Sequence, residues 1–235
     1  MTQHQASRTI IGGLLLAAAL TTSAHAAKPK GMATMFALPS DIIARELAFA
    51  RAVQDKGQAK AFRAFAADDA QIFADGAPVR VGEWTRRQRD PATPLQWDTQ
   101  AVWMSCDGAT AATYGAWDAG ETHGWYSTLW QRQKNGSYRF VLDTAGATAQ
   151  PLAAPEFAEA KVADCPVRRH GEQPAPLKSE APKPSPDHLS GEATDHTLSW
   201  ATTPRADGGH DYVLRVKLDG QVREVLRKVV AAKKG

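Results

Sequence analysis

The first pattern along the chain is a short apolar run, Ile10-Ile11-Gly12-Gly13-Leu14-Leu15-Leu16-Ala17-Ala18-Ala19-Leu20. Arg8 precedes it, and Thr21-Thr22-Ser23 and Ala24-His25-Ala26 follow. A helix needs about twenty apolar residues to cross roughly 30 Å of hydrocarbon, and this run is too short. A positive start, a brief apolar centre and a small-x-small box are the parts of an export signal. Residues 1–26 are therefore predicted to be a signal peptide. The mature chain is expected to begin at Ala27, periplasmic or secreted, with no membrane insertion after cleavage.

Past a lead over residues 27–39, Ile42, Ile43, Leu47, Ala50 and Val53 recur at helical spacing. They predict a helix over Asp41–Val53 with Ser40 as N-cap and Gly57 as its stop. A second helix is predicted from Gln58 to Asp69, carrying Ala61, Phe62, Phe65 and Ala66 on one side. Ala70–Ala74 reads as a short strand stopped by Asp75-Gly76. A weaker third helix covers Gly82–Arg89, before Pro91 and Pro94.

From Leu95 the period changes to that of strands: Gln96–Cys106, Ala109–Asp118, Gly124–Gln133 and Ser137–Thr144. Asp107-Gly108 and Asn135-Gly136 separate them in pairs, a strong hairpin signal when both turn residues take positive φ. Counting outward from two-residue turns places Cys106 opposite Ala109, Asp98 opposite Trp117, Trp130 opposite Val141 and Thr128 opposite Asp143.

After Gly146 the composition shifts, with eight of the fourteen prolines between Pro151 and Pro186. Pro174–Pro186 is predicted to be a semi-rigid spacer, and a short helix is predicted around Glu156–Val162. Three strand-like runs follow, Thr197–Thr203, Asp211–Leu218 and Gln221–Val230, with turns at Asp207-Gly208-Gly209 and Asp219-Gly220. So small a segment makes a poor independent core. It is expected to pack back on the main domain or on a partner. The predicted organisation is a signal over 1–26, a main domain over 40–146, a Pro-rich linker over 147–190 and a β-rich C-terminal extension over 191–235.

Charge changes this picture little. Removing Arg8 with the signal leaves 27 Lys+Arg against 25 Asp+Glu, a balance that argues against nucleic-acid partners. Cys106 and Cys165 are the two cysteines. In an oxidising compartment they would pair as a disulfide. The alternative is two separate thiols.

The stretch Gly124-Trp125-Tyr126-Ser127-Thr128-Leu129-Trp130-Gln131-Arg132-Gln133-Lys134-Asn135-Gly136-Ser137-Tyr138-Arg139-Phe140-Val141-Leu142-Asp143 resembles the terminal hairpin of secreted SnoaL-like domains. These belong to the nuclear-transport-factor-2-like superfamily, with the ketosteroid-isomerase-like proteins. The order of predicted elements over about residues 40–145 is similar to theirs. The resemblance implies an α+β fold, a cone-shaped curved antiparallel sheet wrapped around N-terminal helices, with a pocket at one end and frequent homodimers. It leaves function open, because one fold hosts many activities.

Candidate chemistry follows from the register and the resemblance. Asp143 shares a face with Thr128, Tyr126 and Trp130. A carboxylate inside an apolar cone would have its pKa raised and could move protons beside a carbonyl. Otherwise it is a strand-end carboxylate bonded to a turn. Asp98, paired with Trp117, is a second pocket acid or a solvated residue on the convex face. His123, with Glu121 two residues earlier, is a rim proton-transfer group or an ordinary loop histidine. These three are the candidate proton-transfer groups, and no catalytic residue is assigned. Six of seven tryptophans fall between Trp84 and Trp130. The ligand-binding residues expected are Trp84 near the mouth, with Tyr126, Thr128 and Asp143. Without an HExxH, a CxxC, a GxSxG or a phosphate-binding glycine loop, no metal and no cofactor are expected. The function these features suggest is binding of a small, largely apolar molecule. The alternatives are an isomerase, lyase or hydrolase using a pocket aspartate, and an envelope protein-interaction module.

Overall fold

The computed structural model describes residues 37–74, 76–91, 93–165 and 189–232. The predicted signal peptide and the spacer Pro174–Pro186 lie outside the described residues. In chain order the elements are α1 (Pro39–Lys56), α2 (Gln58–Phe65), β1 (Ala66–Ala74), β2 (Ala77–Arg80), α3 (Val81–Arg87), β3 (Gln96–Met104), β4 (Thr110–Asp118), β5 (His123–Arg132) and β6 (Tyr138–Ala147). β7 (Glu159–Val162), β8 (Ser190–Glu192), β9 (Leu198–Pro204), β10 (His210–Leu218) and β11 (Gln221–Val230) complete the chain. None of the described helices is long and apolar enough to cross a membrane.

α1 starts earlier than Ser40 would set it. Leu38 is the N-cap and Pro39 the first helical residue, so no side chain caps the helix. Proline suits this position because its missing N–H would have no intrahelical partner there. Ile42, Glu46, Phe49 and Val53 form the buried stripe. Gly57, at φ 86°, ends α1 and leads into α2. The second helix is shorter than predicted, because the chain is already extended at Ala66.

The main sheet has the order β2-β1-β6-β5-β4-β3-β7. β3 to β6 form an antiparallel meander, while β1 pairs with β6 and β7 with β3 in parallel, so the sheet is mixed rather than antiparallel throughout. β7 also corrects the helix predicted over Glu156–Val162. Its backbone pairs Ala101–Met104, and an open sheet edge outweighs the weak helical preference of four exposed residues.

One face of this sheet carries the helices. Ile42, Phe49, Phe62 and Phe65 pack there with Val102, Met104, Trp130 and Phe140. The other face is covered by the second sheet, of order β11-β10-β9-β8. Leu198, Trp200, Tyr212 and Leu214 pack against Ala101, Trp103, Leu129 and Leu142. The extension thus packs back on the main domain, and β5 is buried on both sides.

Two β-bulges decide which side chains face the helices. In β3 the pairing steps from Ala101 opposite Tyr114 to Thr99 opposite Gly115, leaving Gln100 as the extra residue. The bulge turns Trp97 and Thr99 inward and Asp98 outward. It depends on Gly115, where a Cβ would collide with the Asp98 carbonyl oxygen and the Tyr126 ring. In β6, Leu142 lies opposite Leu129 but Phe140 opposite Trp130, so Val141 is extra. Phe140 and Asp143 can both face inward because of that residue.

The disulfide Cys106–Cys165 ties the β3–β4 turn to the segment after β7, with Cα atoms 5.1 Å apart. The same turn is bonded to the second sheet's loops. Cys106 N–H donates to Thr197 Oγ1 at 3.0 Å and Asp107 N–H to Asp195 Oδ2 at 2.7 Å.

Candidate functional site

The inward face and the helices line a cavity of about 190 Å³. Phe49 of α1 and Gln58 and Phe62 of α2 form the helical wall, and Ile72 and Leu95 also line the space. The sheet contributes Trp97, Trp117, Tyr126, Thr128, Asp143 and Ala145. The rings adjoin edge to face: Phe62 with Phe49 at 4.9 Å, Phe49 with Trp97 at 4.9 Å, and Trp97 with Tyr126 at 6.4 Å. Offset and edge-on contacts are the stable ones for quadrupolar rings.

Asp143 is the one ionisable carboxyl in this lining, and only 8% of it is exposed. Thr128 Oγ1 donates to its Oδ2 at 2.8 Å. Among the described residues no other hydrogen bond and no ion pair reaches the Asp143 carboxyl. Burial pushes its pKa up to about 7, the Thr128 hydroxyl works against that, and the nearby Glu46 carboxyl adds to it. Tyr126 OH and Thr99 Oγ1 share a hydrogen bond of 2.8 Å. Burial, Glu46 and Asp143 all hold the Tyr126 phenol above its usual range, opposed by the Thr99 bond.

Behind the cavity wall lies Glu46, 2% exposed on the apolar stripe of α1. Its Oε1 accepts from Thr113 Oγ1 at 2.6 Å and Trp130 Nε1 at 3.0 Å, and its Oε2 from Trp97 Nε1 at 2.9 Å. Burial raises its pKa against these three donors. Glu46 fixes Trp97, and Trp97 is a cavity wall. This residue was missed in the sequence, although the signal was there: it stands four residues after Ile42 and three before Phe49, inside the buried stripe.

The structure brings Tyr126, Thr128 and Asp143 together on one cavity and leaves the other expected residues elsewhere. Trp84 packs on Phe62, ring centroids 5.1 Å apart, and is not itself part of the cavity lining. Asp98 is exposed and lies opposite Ala116, because the Gln100 bulge shifts the register by one. It borders a second hollow of about 260 Å³, between α1 and Pro155–Ala158. Trp117 instead pairs with Trp97. His123 starts β5, its Nε2 buried without a partner among the described residues, and is not part of the lining. Among the described residues no group of three or more His, Cys, Asp or Glu side chains could hold a metal ion.

Fold and site together define an α+β domain whose curved sheet closes with its helices around a small aromatic cavity. No protein-family model matches the sequence, and no curated protein does. Among solved structures it is similar to a candidate ketosteroid isomerase from Shewanella frigidimarina, at 15% identity and TM-score 0.38, over 45% of this chain and 94% of that one. A nuclear-transport-factor-2-like protein of unknown function from Silicibacter pomeroyi is 16% identical at TM-score 0.37, over 47% and 99%. ActVI-ORFA from Streptomyces coelicolor is 11% identical at TM-score 0.36, over 46% and 95%.

Proposed function

We propose that the chain is an exported protein whose α+β domain binds a small, largely apolar molecule in the cavity. One observation carries the reading: a cavity walled by five aromatic rings holds a buried carboxyl with one oxygen unengaged. A dry apolar cavity of about 150 Å³ is enough for benzene, and drug-sized ligands need about 300 Å³ or more. At about 190 Å³ this cavity suits a molecule of one ring or an equivalent branched group. Benzyl alcohol, titrated into the mature protein, should shift the indole N–H resonances of Trp97 and Trp117 and the Ile72 methyls. Shifts confined to other surfaces, or none at millimolar probe, would overturn the reading.

A second reading is favoured by the carboxyl itself. A group with a pKa of about 7 can both take and return a proton at neutral pH. Asp143 would then serve an isomerase, lyase or hydrolase as general acid–base. Carboxyl-carbon NMR should place its titration near neutrality, and a midpoint below pH 5 would exclude this role. Asp143→Asn should keep binding and abolish turnover. A pocket filled by its own tryptophans would have favoured the interaction module. The open cavity supports the ligand readings over it. The homodimer implied by the resemblance remains part of the proposal, with the face opposite the helices already occupied by the second sheet.

Export is supported by the Arg8-to-Ala26 pattern and by a disulfide, which persists in oxidising compartments. N-terminal sequencing of the exported protein should begin at Ala27; a soluble product retaining Met1 would contradict it.

A further inference from the structure

We propose that the cavity's ligand is a small organic cation, its ammonium group seated between the Asp143 carboxylate and the aromatic walls formed by Trp97, Trp117 and Tyr126. This deepens the binding reading above and rests on it.

Three observations carry the inference. The first is a carboxyl without a counter-ion. Asp143 is more than nine-tenths buried, Thr128 occupies one of its oxygens, and none of the lining residues is basic. A buried carboxylate is ordinarily paired, because an isolated one is costly. Among the described residues no side chain supplies the pair. The second is the wall. Phe49, Phe62, Trp97, Trp117 and Tyr126 line the space, and three of their contacts are edge to face, so the rings around it differ in orientation. Ring faces carry negative potential and attract cations, and quaternary ammonium groups are recognised by such cages. The third is the sign of the field. Glu46 lies behind Trp97, so the nearby charges are negative or neutral, which works against anionic ligands. At about 190 Å³ the space admits a trimethylammonium group with a short arm, and the half-buried Gln58 amide, which makes no hydrogen bond among the described residues, can meet that arm.

Among the described residues, the titratable groups coupled to Asp143 are Glu46 on α1, Tyr126 on β5 and Tyr212 on β10, whose phenol is raised chiefly by burial, with the Asp143 charge adding to it. The two tyrosines are held above their ordinary range and stay neutral up to pH 8. Below pH 8, Asp143 and Glu46 therefore set the pH dependence.

The test uses the mature full-length chain, choline, and its uncharged isostere 3,3-dimethylbutan-1-ol, titrated calorimetrically between pH 5.5 and 8.5. Choline should bind at least about tenfold more tightly than the isostere at pH 8. Its affinity should fall toward about tenfold per pH unit below pH 7, as the carboxylate is protonated, while the isostere's stays flat. Asp143→Asn, which preserves shape and the Thr128 partner, should reduce choline to the level of the isostere. PH dependence surviving in that variant would assign the effect to Glu46 and overturn the role of Asp143. Trp117→Leu, at a half-buried lining ring whose N–H has no partner among the described residues, should weaken choline about tenfold more than it weakens the isostere. Equal affinity for the two probes overturns the cation inference and leaves the cavity reading standing. If neither probe perturbs the cavity resonances, both fall.

Discussion

Glu46→Ala should lower the stability of the domain by about 3–5 kcal/mol, among the largest losses from a single substitution here. Thr113 would keep an acceptor, since its hydroxyl also lies 3.3 Å from the Thr128 carbonyl oxygen. The indole N–H groups of Trp97 and Trp130 would not, and each buried orphan donor costs about 1–3 kcal/mol. The space vacated beside Trp97 and Trp130 adds a cavity term. Glu46→Gln keeps one oxygen for Thr113 and Trp130 and sets an amide N–H₂ against Trp97, so about 1–2 kcal/mol is expected. The pH dependence separates the two effects. Burial raises the Glu46 pKa above the ordinary 4.5, so the native state holds its proton more tightly than the unfolded chain. That contribution is complete below pH 4.5 and is lost as the pH rises through the native value. Gln cannot ionise, and its deficit relative to the parent should shrink from pH 4 to pH 7. Urea unfolding across that range provides the measurement. An alanine variant within 1 kcal/mol of the parent would mean that the three donors find other partners.

The residues that make the cavity were partly legible, and the reason lies in two bulges. Thr128 was placed opposite Asp143 by counting from a two-residue turn at Asn135-Gly136, and the pairing is as counted. The route to it was not. Gly136 alone has positive φ there, the hairpin closes around Gln133–Ser137, and Arg132 pairs with Tyr138, one step away from the counted register. The Val141 bulge then restores that step before Asp143, so two departures cancel. Trp130 consequently pairs with Phe140 and not with Val141. In β3 no second departure compensates. The Asp107-Gly108 register holds as far as Ala101, and the Gln100 bulge then turns Asp98 out and Trp97 in. Such a bulge is set by where Gly115 admits the backbone of its neighbour, a contact between strands that alternation along one strand cannot reveal. At Asp219-Gly220, by contrast, both residues have positive φ and Leu218 pairs with Gln221, as that dipeptide predicts. The fold class was readable from the order of the elements together with the resemblance carried by the terminal hairpin. The parallel edge strand β7 was not, because its pairing depends on the free edge of β3 and hardly on its own sequence.

Replacing both cysteines, Cys106→Ser with Cys165→Ser, should cost about 4 kcal/mol, the chain-entropy value for a loop of this length. Their separation is 59 residues. For a chain of this size that corresponds to a melting temperature lower by about 8–16 °C. The bond's position explains why so much should depend on it. The loop it closes contains β4, β5, β6 and β7, so in the unfolded chain it restrains most of the meander. In the folded protein it holds the end of β7 beside the turn that the second sheet also engages, through Thr197 and Asp195. Gly220 N–H donates to Asp164 Oδ2 at 2.6 Å, so the residue next to Cys165 is tied to the β10–β11 turn as well. Loss of the disulfide should therefore show first as faster amide exchange in β7 and the Asp219-Gly220 turn, while β5, covered on both faces, stays protected until global unfolding. Single Cys→Ser variants should be as unstable as the double variant and carry an alkylatable thiol, whereas the unreduced parent should take up no alkylating reagent. A double variant that melts with the parent would show that the hydrogen bonds of Thr197, Asp195 and Asp164 hold this corner without the covalent link.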